Sequence, residues 1–341
     1  MDVAVYSAKR YDREYLQSAF GTKHSATFFD VPLSTSSVDL SAGKTAVCAF
    51  VNDDLGRDVL AALARLGVRL IALRCTGFNN VDLNAAKELG IRVARVPAYS
   101  PHAVAEHAIG LILALNRKIH RAFNRVRENN FSLDGLLGFD LFGKTIGIVG
   151  TGEIGSVVAR ILTGFGCKVI ATDPSPNAEC RSLGVRYVTF EDLCAESTVI
   201  TLHCPLTPQT RHMVNAESIK RMKSEVMLVN TSRGAVVDTR AIIQALKAKR
   251  IGSLAMDVYE EEAHLFFDDM SDRIVEDDVF SRLLTFPNVL ITGHQGFFTD
   301  EALTTIAAIT ADNLAAFEST GAPVHEVSID NVTVSQPLLS H

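Results

Sequence analysis

The chain has 341 residues, 47% hydrophobic and 21% charged, with a formal net charge of -6. That length suits two domains of roughly 150 residues each, and that apolar content fills both cores and excludes disorder over most of the chain. No Lys/Arg-rich run stands out, which argues against a nucleic-acid or anionic-membrane surface.

The opening Met1-Asp2-Val3-Ala4-Val5-Tyr6 has no basic segment leading into an apolar one, so no signal peptide is expected. The most apolar stretch, residues 108–115, is far short of the roughly 20 residues a spanning helix needs, so no membrane partner is expected. Cys48, Cys75, Cys167, Cys180, Cys194 and Cys204 are scattered without a C-x-x-C pair. That is the pattern of reduced thiols in a cytoplasmic protein, without a disulfide frame or a metal site.

In chain order, residues 3–7, 45–51, 70–75 and 92–96 read as strands, and 11–20, 55–66 and 84–89 as helices between them. Such alternation predicts a parallel α/β sheet. At Ser100-Pro101 the pattern changes: Ser caps free N–H groups and Pro is pre-set for a first helical position. One long helix is expected over 102–125, apolar enough to be a candidate subunit contact. After a polar stretch, a second strand series runs through 145–149, 168–172, 198–203, 227–230, 253–257 and 289–292. Residues 260–284, rich in acids and dotted with Phe, read as a surface insertion, and 299–319 as a final helix. The expectation is two doubly wound parallel-sheet domains, with the last 40 or so residues returning to the first.

Gly150-Thr151-Gly152-Glu153-Ile154-Gly155 matches G-x-G-x-x-G after an apolar strand and before a helix expected from residue 156. Gly150 permits the tight turn, Gly152 lets the backbone approach a pyrophosphate, and Gly155 lets helix and strand pack closely. The helix N-terminus then offers N–H groups and a positive dipole end to phosphate. Asp173 ends the next strand, where a carboxylate accepts from the ribose hydroxyls and repels a 2′-phosphate. No Arg follows to offset that, so NAD is expected over NADP.

Three polar residues follow strands of the second series: Arg233, Glu262 and His294. Reduction of a 2-keto acid builds negative charge on the carbonyl oxygen, and imidazolium is the natural proton donor there. A neighbouring carboxylate favours the charged ring, and a guanidinium grips carboxylate and carbonyl oxygens in a fixed fork. His294 as acid/base, Glu262 as its partner and Arg233 as anchor fit those roles. The residues by themselves specify only a small 2-keto acid substrate.

The sequence also resembles the D-isomer-specific 2-hydroxyacid dehydrogenase family, nearest to its bacterial fermentative D-lactate branch. The resemblance is carried by the glycine turn and by Val229-Asn230-Thr231-Ser232-Arg233-Gly234, Met256-Asp257-Val258-Tyr259-Glu260-Glu261-Glu262 and Thr292-Gly293-His294-Gln295-Gly296-Phe297-Phe298-Thr299. The segment Leu265-Phe266-Phe267-Asp268-Asp269 and residues 274–280 are similar to that branch too. It implies a Rossmann-type NAD domain, 100–298, inserted in a flavodoxin-like substrate domain formed by 1–99 and 299–341. It implies NAD-dependent reduction of pyruvate to D-lactate by Arg233, Glu262 and His294. Thr76, Gly77 and Tyr99 become substrate-binding positions. Val104, Glu153, Ile154, Asp173, Cys204, Pro205, Thr210, Thr231, Ser232 and Asp257 join the glycines as cofactor contacts. His203 is expected to be structural. Glu153 stands where many relatives have His, so a backbone contact is expected there. A homo-oligomer, dimer or tetramer, is expected. Reductases of glyoxylate, hydroxypyruvate or bulkier 2-keto acids share this machinery. An NAD-sensing binding protein on the same fold is disfavoured by the intact Arg, Glu and His.

Overall fold

The computed structural model describes residues 1–262, 265–267 and 269–332. Asp268 and the last nine residues of the expected C-terminal tail lie outside the described residues. The chain forms two compact units: residues 1–100 with the chain from Phe298 onward, and Pro101–Phe297.

The first unit holds β1 (Asp2–Val5), β2 (Ser25–Phe28), β3 (Ala46–Ala49), β4 (Leu70–Leu73) and β5 (Arg92–Ala94). They form one parallel sheet in the order β2-β1-β3-β4-β5. That is the doubly wound, flavodoxin-like order. β3 and β4 read Ala-Val-Cys-Ala and Leu-Ile-Ala-Leu and are buried at every position. Strands covered on both faces need continuous apolar runs, not alternation. The Asp300–Thr320 helix returns to this sheet, with Ala307 and Leu314 in the same core as Val3, Val5, Leu16 and Leu70. Thr299 caps it by accepting from the Ala302 N–H, and Gly321, at φ +76°, ends it.

The second unit holds β6 (Thr145–Val149), β7 (Lys168–Thr172), β8 (Arg186–Tyr187), β9 (Val199–Leu202), β10 (Val226–Asn230), β11 (Ile251–Met256) and β12 (Val289–Ile291). All are parallel, in the order β12-β11-β10-β9-β6-β7-β8. The order reverses between β6 and β9, and ligands of such sheets bind beyond the strand carboxyl ends at that switch point.

Three features depart from the sequence expectation. The expected 102–125 helix is two helices, Pro101–Asn116 and Ile119–Arg127, because Lys118 takes a left-handed conformation at φ 50°. Asn116 secures the break: its Nδ2 donates to the Phe139 carbonyl at 2.7 Å and its Oδ1 accepts from the Phe139 N–H at 2.9 Å. The apolar character of the first helix goes into its own unit, with Ile109, Leu111, Ile112 and Leu115 in the core. The 260–284 segment is not a mere surface insertion, since Phe266, Phe280 and Leu283 are buried in the core on the other face of the sheet. Short β2 and β8 escape a periodicity reading because four and two residues carry too little pattern.

Candidate active site

β6 runs into the glycine turn, and the following helix spans Glu153–Gly164, starting three residues earlier than its apolar pattern suggests. The close packing needs Gly155: a β-carbon there would sit 1.9 Å from the Gly150 carbonyl oxygen. In front of Gly152 the space is open, with nothing within 4 Å of a β-carbon position. That opening, at a helix N-terminus, fits a pyrophosphate. Glu153 is exposed and Ile154 partly buried.

Asp173, just past β7, accepts from the Thr151 N–H at 2.6 Å through Oδ2 and from the Ser175 N–H at 2.8 Å through Oδ1. It therefore ties the glycine turn to the neighbouring strand end. Beyond β9, Cys204 is buried beside Gly150, and burial pushes its thiol up to about 11. Thr210 closes the loop that carries exposed Pro205, donating to the Pro205 carbonyl at 2.6 Å. His203 pairs through Nε2 with the Thr201 hydroxyl at 2.9 Å, and burial pushes its imidazole down to about 4.

β10 ends at Asn230, which is fully buried and shapes the turn after it. Its Oδ1 accepts from the Ser232 N–H and hydroxyl, at 3.1 and 2.9 Å, and its Nδ2 donates to the Arg233 carbonyl at 2.9 Å. Thr231 Oγ1 is buried without a hydrogen-bond partner among the described residues, an unmet need that a bound ligand would fill. Gly234 lets the turn press against the segment after β11, since a β-carbon there would lie 2.1 Å from the Tyr259 carbonyl carbon.

That segment carries Glu262. Its Oε2 accepts from the Tyr259 N–H at 2.9 Å, and its Oε1 lies 2.8 Å from His294 Nδ1. His294 follows β12 with φ 53°, a left-handed conformation rare for a side-chain-bearing residue. The Phe267 ring lies 5.7 Å from the imidazole. Both members of the pair are about one-fifth exposed, so they are held yet reachable. Arg233 donates to the Ser232 carbonyl at 2.7 Å and has no carboxylate partner among the described residues.

Asp257, expected as a cofactor contact, directly follows β11. It is 2% exposed. Its oxygens accept from the Thr292 hydroxyl and from the Gln295 and Gly296 N–H groups, at 2.5, 2.9 and 2.8 Å. Burial alone would raise its pKa; hydrogen bonds from His107 and Thr292 outweigh that and hold the carboxyl below its usual range. Val104, expected beside the cofactor, is buried one turn before His107 in the Pro101–Asn116 helix.

In the first unit, Thr76 and Gly77 lie in the loop after β4, and Tyr99, half-buried, lies beyond β5. Arg95 holds this loop: its Nη1 donates to the Thr76 carbonyl at 3.1 Å, and its guanidinium sits 5.2 Å from the Phe78 ring centre. Sequence reasoning missed Arg95, Asn230 and His107. Asn230, which directly follows an apolar strand run, was the one with a readable signal.

Across the sheet, Asp173, Gly150, Cys204, Thr231, Asp257 and His294 follow six adjacent strands in spatial order, β7-β6-β9-β10-β11-β12. At about 4.8 Å per strand, that edge suits an elongated ligand lying across it. Fold and site together define an NAD-dependent dehydrogenase. Residues 109–296 match the family described as D-isomer specific 2-hydroxyacid dehydrogenase, NAD binding domain. The chain is 55% identical over 321 residues to the D-lactate dehydrogenase of Escherichia coli, covering 93% of this chain and 97% of that one. The apo structure of D-lactate dehydrogenase from Escherichia coli matches 96% of this chain and 100% of its own with a TM-score of 0.89. The structure of D-lactate dehydrogenase from Aquifex aeolicus complexed with NAD and lactic acid matches 94% of this chain and 98% of its own, at 34% identity and a TM-score of 0.83. This chain belongs to the D-isomer-specific 2-hydroxyacid dehydrogenases. Among the described residues, no helix is long and apolar enough to cross a membrane.

Proposed function

We propose that this protein is an NAD-dependent D-lactate dehydrogenase that reduces pyruvate to D-lactate. The observation that carries the reading is the Glu262–His294 pair on the strand ends next to Arg233, whose charge no described carboxylate neutralises. Similarity to proteins named D-lactate dehydrogenase supports the choice of acid.

NADH, when bound, supplies the hydride that reaches the keto carbon. His294 donates its Nδ1–H to Glu262, so Nε2, which has no protein partner among the described residues, carries the proton to the carbonyl oxygen. Glu262 stabilises the imidazolium before transfer. Arg233 grips the substrate carboxylate and the carbonyl oxygen with its remaining N–H groups. In the first unit, Thr76, Gly77 and Tyr99 are the substrate-binding positions by family likeness, Thr76 and Gly77 through backbone N–H groups. The glycine turn, Glu153, Ile154, Asp173, Cys204, Pro205, Thr210, Thr231 and Ser232 hold the dinucleotide, and Val104 backs its nicotinamide end. Residues 1–99 and 299–341 form the substrate domain and 100–298 the NAD-binding domain in this reading.

The test is a steady-state panel of 2-keto acids with NADH and NADPH, followed by chiral analysis of the product. The expected result is highest kcat/KM with pyruvate and NADH, yielding D-lactate. NADH binding without turnover of any short 2-keto acid would replace this reading with a binding protein.

We also infer a cytoplasmic homo-oligomer. Six free thiols suit a reducing compartment. A second copy would cover the apolar side chains exposed between 119 and 142, among them Phe123 at 60%, Leu133 at 81% and Leu137 at 86%. Sedimentation of the purified protein as a monomer would remove the oligomer inference.

A further inference from the structure

His294 holds its left-handed backbone because both of its flanks are fastened to one carboxylate. Thr292 and Gln295 bind Asp257 Oδ1, and Gly296 binds Oδ2. A third element completes this clamp. His107, from the Pro101–Asn116 helix, brings Nε2 to 3.2 Å from Asp257 Oδ1 and 3.1 Å from Thr292 Oγ1.

Counting protons assigns the roles. Thr292 has one hydroxyl proton, and at 2.5 Å it goes to Asp257. Thr292 Oγ1 then has only lone pairs to offer His107, as does the ionised Asp257. Nε2 of His107 must therefore carry a hydrogen, shared between the two oxygens. Without that donor, Asp257 would remain buried with one partner fewer, and the loop would be free to relax His294 out of its unfavourable conformation.

We propose that His107 is a positioning residue for the proton transfer that accompanies reduction: through Asp257 and Thr292 it holds the 292–296 loop so that His294 keeps its aim. The proposal rests on the reading of His294 as proton donor. A loop that drifts by about 1 Å can cost on the order of 10²-fold in rate while leaving binding intact.

The experiment compares His107→Leu, which keeps apolar bulk but donates nothing, with His107→Gln, whose amide restores an N–H. Pyruvate kinetics and NADH titration by fluorescence are measured for each. For His107→Leu, kcat should fall roughly 10- to 100-fold, with KM for pyruvate and Kd for NADH within about threefold of wild type. His107→Gln should recover at least half of that loss on a logarithmic scale. A His107→Leu kcat within twofold of wild type, equal losses in both variants, or a loss confined to NADH affinity would each overturn the proposal. If His107→Leu does not fold, Thr292→Val removes a different donor of the same clamp while keeping its shape. It should show the same kcat-selective loss, and an unchanged kcat would count against the clamp. His294→Ala, run in parallel, separates the two readings. If it retains activity, the proton-donor assignment fails; if it is inactive while His107→Leu is normal, only the clamp fails.

Discussion

His294 Nδ1 and Glu262 Oε1 lie 2.8 Å apart, although 32 residues separate them along the chain. The contact exists because β11 and β12 are parallel neighbours, so the loops after them leave the same edge of the sheet. The second Glu262 oxygen is pinned by the Tyr259 N–H, so the carboxylate cannot swing away from the imidazole.

Removing the acid should show in turnover. His294→Ala is expected to lower kcat by about 10²–10⁴-fold with pyruvate. Glu262→Gln keeps the shape but not the charge, and should lower kcat less, by about tenfold or more. NADH affinity, read by fluorescence titration, should stay close to wild type in both. A wild-type rate for His294→Ala would remove its assigned role.

Arg233 offers free N–H groups and has no acidic neighbour among the described residues to satisfy. Arg233→Lys retains charge but loses the planar fork. It should raise KM for pyruvate and lower kcat together, each by about tenfold or more. Near-normal values of both would show that Arg233 does not touch substrate.

Asp173 binds the Thr151 and Ser175 N–H groups, so its loss has two consequences. Asp173→Ala should relax the preference for NADH over NADPH, because the charge that repels a 2′-phosphate is gone. It should also weaken NADH binding, because the glycine turn loses a tether. The ratio of kcat/KM for the two cofactors checks this, and an unchanged ratio would take Asp173 out of the ribose site.

His203 makes a prediction about stability. Burial holds its folded-state pKa near 4, below the unfolded value of about 6.5. The unfolded chain therefore binds more protons between these values, and stability falls as pH drops through that window. At pH 5 the loss is on the order of 2 kcal/mol, and none of it is present above about pH 7. His203→Gln should flatten this part of the profile, so that its Tm falls a few degrees less than wild type between pH 7 and pH 5. Parallel Tm curves would show that His203 is not the group responsible.

Much of the site was legible because each motif is local. The glycine turn declares itself by spacing between an apolar strand and a helix, and Arg233 and His294 each follow a run of apolar residues. Glu262 was harder, because it sits in Glu260-Glu261-Glu262 and spacing does not distinguish the three. The structure does: Glu260 reaches His212 and Thr239, whereas Glu262 reaches His294. Asp257 reads as a cofactor contact by family likeness; what only the structure adds is that its oxygens also bind the loop that carries His294.

Composition and periodicity alone determined two parallel α/β units, the glycine turn and the chemical types able to reduce a keto acid. Those properties depend on neighbours a few residues away, and side-chain pattern records them directly. Tertiary structure alone decided that the helix breaks at Lys118, that Phe266 and Phe280 enter the core, and that His107 meets Asp257 across 150 residues of chain. Each depends on which surfaces face each other once the strands have chosen their order. That choice is made by burial summed over whole sheets, and no single stretch of sequence carries it.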